Sequence, residues 1–128
     1  MKLSMTVLLA IISVSGLLLI LFFRSERIDD LRQHGVLVNV KVIEVLLPPK
    51  AGVAVNFRCG FTYNGEQKKL ISSSNVKEHA SRYVGELCPA LYSPKKNNLR
   101  VLLRPEDFEE YNVPLTDSLI EVINRINN

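Results

Sequence analysis

The sequence predicts a single N-terminal transmembrane α-helix followed by an α+β, mainly β, domain. The domain is expected to be a small antiparallel sheet or partly open barrel of about five strands with a C-terminal amphipathic helix. Three observations predict this. Leu3 to Phe23 is apolar, with no charge between Lys2 and Arg24. Two stretches, 36–47 and 53–63, alternate apolar and polar residues with period two. Leu119, Ile120, Val122, Ile123 and Ile126 fall at helical spacing near the C-terminus. The expected division is 1–34 for anchor and juxtamembrane helix, 35–104 for the β domain, and 105–128 for an acidic segment and terminal helix.

The first stretch has 21 residues. As a helix it rises about 32 Å, which matches a hydrocarbon core about 30 Å thick. A cleaved signal peptide has a shorter apolar run and a small-residue cleavage step. Here the run ends in Phe22-Phe23-Arg24, so a retained single-pass anchor in the cell membrane is the expectation, with the bilayer as its first partner. Arg24, Arg27 and Arg32 outnumber Lys2, which favours the cytoplasmic side for the domain. Ser13 and Gly16 are small residues of the kind that let a second membrane helix approach closely.

Residues 24–104 hold fourteen Lys/Arg against seven Asp/Glu, whereas 105–128 hold six acidic residues against Arg125 alone. The basic part suits an anionic headgroup layer. It suits nucleic acid poorly, because basic runs stop at Lys68-Lys69 and Lys95-Lys96 and there is no tryptophan.

Ser25 to His34 continues the anchor helix, and Gly35 is expected to close it in a left-handed conformation. Val36 to Leu47 reads as a strand with Val36, Val38, Val40 and Val42 on one face. Val53 to Tyr63 follows, with Val53, Val55, Phe57, Cys59, Phe61 and Tyr63 on one face. Asn64-Gly65 is the dipeptide of a type I′ hairpin turn, and Glu66 to Ser74 is the return strand. Asn75 and Glu78 have the spacing of a capping box, so 75–84 is expected to be a short helix. Glu86 to Tyr92 reads as a strand that Pro89 confines to an edge or a bulge. Leu99 to Leu103 is the last strand. Residues 105–114 look irregular, with Phe108 and Tyr111 tucked onto the sheet, and Thr116 or Ser118 caps the final helix.

Cys59 and Cys88 sit at core-facing positions. They can close a disulfide in an oxidising compartment or stay as buried thiols in a reducing one. Two cysteines make no zinc site, and His34 and His79 lack ligand spacing. The acidic Glu106-Asp107…Glu109-Glu110 cluster lacks a calcium-loop pattern, and no nucleophile or phosphate-loop motif occurs. The terminal stripe can pack on its own domain or offer Leu119, Ile120, Ile123 and Ile126 to a partner groove.

Phe61-Thr62-Tyr63-Asn64-Gly65 and Gly85 to Pro94, within residues 36–104, resemble a bacterial set of small membrane-tethered β domains. Their strand ends Tyr-x-x-x-Gly, and a Gly-Asp…Tyr-Asp-Pro type segment follows. The resemblance implies a twisted β fold and a bacterial setting, and no activity. Glu86, Pro89 and Ser93 depart from it. The expected function is a non-enzymatic accessory or scaffolding subunit with a membrane protein partner, no cofactor and no small-molecule substrate. An immunity-type or inhibitory binder, or a thiol redox protein, are the alternatives.

Overall fold

The computed structural model describes residues 13, 15, 18, 26–46 and 52–128. The predicted span lies outside these residues except for Ser13, Ser15 and Leu18, which are helical. Gly16 also lies outside them. Among the described residues no helix is long and apolar enough to cross a membrane.

The elements in order are α1 (residues 26–34), β1 (Val36–Leu46), β2 (Asn56–Tyr63), β3 (Glu66–Ser72), a 3-10 turn (Ala80–Tyr83), β4 (Leu87–Ser93), β5 (Asn98–Val101), α2 (Pro105–Glu110) and α3 (Asp117–Asn127). The sheet order is β3-β2-β1-β4-β5, with every neighbouring pair antiparallel. Its two ends meet just past β3. Ser73 bridges Arg100 in parallel, and the Val101 N–H donates to Ser72 Oγ at 2.8 Å. The five strands thus curl into a half-barrel. Across the bridge their order runs 1-2-3-5-4-1, that of a five-stranded Greek-key barrel.

The hairpin between β2 and β3 forms as the sequence predicts. Asn64 and Gly65 take φ of 50° and 79°, the paired positive angles of a type I′ turn. The inward face of β2 also holds, with Val55, Phe57, Cys59 and Phe61 buried. Val53 does not belong to it. That residue precedes the strand and is exposed. In β1 the alternation runs through Val40 and Val42, then breaks where the register shifts between Val42 and Glu44. One extra residue at Ile43 leaves Glu44 outward as well and brings Val45 back toward the core.

Three expectations are corrected. Residues 75–84 do not form an α-helix. The Asn75 side chain donates to Asp107 Oδ1 at 2.8 Å instead of capping, and His79 sits at φ 56°, which breaks a helical run. Only the turn at Ala80–Tyr83 remains, still burying Val76, Ala80 and Tyr83. Pro89 is not on an edge, because β4 lies between β1 and β5. The Val42 N–H donates to Glu86 O, so alternation leaves Pro89 opposite Asn39 in a non-hydrogen-bonded pair. The missing N–H therefore faces away from β1, at the point where β5 has ended, and the Pro89 carbonyl accepts from Leu102 N–H at 2.8 Å. Finally, 105–110 is helical, started by Pro105 at a position where its lost N–H has no intrahelical partner.

Two apolar clusters result. Inside the barrel, Val40, Val42, Phe57, Cys59, Cys88 and Val101 are fully buried, and Phe57 meets Tyr83 edge to face at 5.9 Å. On the outside, Leu91, Leu102, Phe108, Tyr111 and Ile123 close over Leu31 of α1. Each such side chain stabilises by about 1.5–3 kcal/mol on burial. Phe108 and Tyr111 thus tuck in as the sequence predicts.

Helix α3 begins at Thr116, whose hydroxyl accepts from the Leu119 N–H at 3.4 Å. Ile126 enters the inner cluster and Ile123 the outer one. Asn127 fastens the end of the helix: its Nδ2 donates to Leu103 O at 2.7 Å, and its Oδ1 accepts from Tyr83 Oη at 2.5 Å.

Candidate functional site

Charge burial locates the most unusual chemistry in the domain. Arg100 interrupts the otherwise apolar last strand, and its residue is only 6 % exposed. Its Nη2 lies 3.6 Å from Asp107 Oδ1, and its Nη1 donates to Ser73 Oγ at 3.0 Å. Its guanidinium carbon stands 5.7 Å from the centre of the Tyr111 ring. Asp107 is more fully engaged. Oδ1 accepts from Asn75, and Oδ2 accepts from the Leu103 and Arg104 N–H groups at 3.0 and 3.2 Å. One carboxylate thus starts α2, ends the last strand and holds the 75–79 loop. Burial pushes the Tyr111 hydroxyl pKa up, against the pull of Arg100.

Beside Arg100 opens a cleft of about 810 Å³ between α1 and the half-barrel. Arg27, Lys77, Asn56, Asn98, Glu110 and Tyr111 are among the residues that line it. Its α1 wall is fixed in place. Leu31 is buried in the outer cluster, Asp30 Oδ2 accepts from Asn98 Nδ2 at 2.9 Å, and Arg32 Nε donates to Glu110 O at 2.7 Å.

The predicted site residues fall elsewhere. Cys59 and Cys88 are both free and buried. They flank β1, with Cys59 opposite Val42 and Cys88 opposite Val40. Two strand spacings across the sheet and a two-residue offset along it put their Cα atoms roughly 11–12 Å apart, beyond the 7 Å reach of a disulfide. Burial pushes each thiol from 9.0 up to about 12, helped at Cys59 by Cys88 and at Cys88 by Glu86. Redox and nucleophilic cysteines need the opposite shift. A group whose folded pKa is raised stabilises below its unfolded pKa and loses that contribution as pH climbs through the folded value. Stability should therefore fall between about pH 9 and 12. We expect urea midpoints of the wild type to drop more from pH 8 to 10.5 than those of Cys59→Ala/Cys88→Ala. Equal drops, or rapid labelling of both thiols in the folded protein, would contradict this placement.

The terminal stripe packs largely on its own domain, one of the two uses the sequence leaves open. Of the four residues offered to a partner groove, Ile123 and Ile126 are buried in this domain, Leu119 packs against the outer cluster, and Ile120 stays exposed. Among the described residues no group of three or more His, Cys, Asp or Glu could hold a metal ion.

Sequence reasoning missed Arg100, Asp107 and Asn75. A usable signal was present: a lone arginine inside the run Leu99 to Leu103, with an aspartate two residues past Pro105, where a helix's third residue can reach back to its start.

No protein-family model matches this chain. No curated protein and no solved structure is similar to it either.

Proposed function

We propose that this chain is a single-span, non-enzymatic accessory or scaffolding subunit of a membrane protein complex. The observation that supports it is the docking of α1. This helix begins three residues past the apolar stretch 3–23 in sequence and is fixed to the domain through Leu31, Asp30 and Arg32. A flexible tether would leave the domain free to take many attitudes. A docked α1 fixes the point at which the domain receives the chain from that stretch. A partner in the same bilayer then meets the span and the domain together, and two weak contacts act as one strong one. The elevated thiol pKa values favour this reading over thiol redox chemistry.

Affinity purification of the tagged full chain in mild detergent, with mass spectrometry, tests the proposal. A stoichiometric membrane protein is the expected companion, and a lone monomer or homo-oligomer would overturn it. Deleting residues 115–128 is unsuitable as a probe, because it strips Ile123 and Ile126 from the two clusters. Ile120→Glu is the better variant. At an exposed position it should change stability by no more than about 0.5 kcal/mol. Loss of the companion in that variant would place the contact on α3, and retention would place it elsewhere.

A further inference from the structure

We propose that the cleft between α1 and the half-barrel binds a phosphate-bearing anion, with Arg100 at its floor and Arg27 and Lys77 at its rim. The case begins with an unmet donor. Arg100 Nε is buried and has no hydrogen-bond partner among the described residues. The same guanidinium makes one hydrogen bond of ordinary length, to Ser73, and its approach to Asp107 at 3.6 Å is longer than a charge-assisted hydrogen bond. Asp107 cannot close further on it, because its oxygens already serve Asn75 and two backbone N–H groups. A buried guanidinium with spare donors is costly unless an oxygen-rich anion meets it, and phosphate presents oxygens at the spacing of the guanidinium fork.

The charge of the cleft agrees. Arg27, Lys77 and Arg100 line it against Glu110, with Asp107 behind Arg100 and Asp30 behind Asn98, and Asn56 and Asn98 add neutral amides. Both rim cations are on the surface, where they can attract an anion without being desolvated. Location narrows the source. Arg27 stands four residues past Phe23 in sequence, and four residues of chain span at most about 14 Å. The headgroup layer is about 5–7 Å thick on each side of the hydrocarbon, so an anchored chain keeps the rim within reach of the headgroups. That last step rests on the anchored reading given above. The chemistry of the cleft does not.

The test uses the full chain in micelles of an uncharged detergent, with the Nε–Hε resonance of Arg100 followed by NMR. Sodium phosphate is titrated against sodium chloride at equal ionic strength. The protein is then moved into nanodiscs of phosphatidylcholine with or without phosphatidylglycerol. The Arg100 resonance should shift and saturate with phosphate or with the anionic lipid. Lys77→Ala and Arg27→Ala should each weaken the response about threefold with the fold unchanged. Saturation by phosphatidylglycerol alone identifies a lipid headgroup, and saturation by inorganic phosphate identifies a soluble ligand. An Arg100 resonance that ignores both, or that follows chloride equally, overturns the site, as do rim variants with undiminished response. A purification that yields no companion would defeat the accessory-subunit reading and leave this titration untouched.

Discussion

Asp107→Ala should destabilise the domain by about 4 kcal/mol, the largest effect expected of any single charged residue here. The loss has two parts. Arg100 keeps its charge in a buried setting with only Ser73 and the Tyr111 ring beside it. The N–H groups of Leu103 and Arg104 lose their acceptor, as does the amide of Asn75. Each buried donor left unmet costs about 1–3 kcal/mol. For a domain near 100 residues, 4 kcal/mol lowers the melting temperature by about 20 °C. A second variant separates the two parts. Buried ion pairs can often be replaced by apolar residues at no net cost. If the pair were the whole story, Arg100→Met/Asp107→Leu would melt near the wild type. Because the carboxylate also serves three other donors, the double variant should stay about 2 kcal/mol less stable. Thermal melts followed by near-ultraviolet circular dichroism decide this. A single-variant loss below about 1 kcal/mol would show that the network contributes little.

Gly35→Ala should release α1 from the domain at a cost of about 2–4 kcal/mol. A Cβ at this position would stand 2.3 Å from the carbonyl oxygen of Leu31, which already accepts the Gly35 N–H at 3.0 Å. Both clashing groups are backbone, so relief requires the chain to move between helix and strand. Simple propensity predicts the opposite sign, since alanine prolongs a helix better than glycine by about 1 kcal/mol. Hydrogen exchange over residues 26–34 measures the outcome directly. Faster exchange confined to that segment supports the close approach. Slower exchange would mean that local helix preference dominates.

That glycine also shows where sequence reading stops. Its place after a helix was legible, but the expected left-handed backbone was not what the fold uses. Gly35 is absent from the positive-φ glycines, which among the described residues are Gly52, Gly65 and Gly85. The reason is proximity to Leu31, a tertiary fact about how tightly the chain turns into β1. Features set within a few residues read correctly: the Asn64-Gly65 turn, the inward face from Val55 to Phe61, and the Thr116 cap. Pro89 read wrongly because its tolerance depends on which side of β4 its nitrogen faces, and that is fixed by pairing with β1 fifty residues earlier. Residues 75–84 carry a local helix signal that Asn75 abandons for Asp107, a partner 32 residues away. The Arg100–Asp107 centre was hidden for the same reason. Asp107 reads as one of four acids on a solvated face, and only the closure of β3 toward β5 buries it.

The outer cluster has a consequence for the order in which the chain matures. Helix α1 is made first, yet Asp30 binds a residue 68 positions later and Arg32 one 78 positions later. Leu31 shares the outer cluster with Ile123, 92 positions later. Long-range contacts of this kind form slowly, because loop closure must precede any gain. Until β5 and α2 are in place, α1 has nothing to dock on. Until α3 packs, the half-barrel lacks the residue Ile126 that completes its inner core. Docking of α1 therefore follows the pairing of β4 with β5 and the folding of α2, and the docked geometry is among the last features the domain acquires.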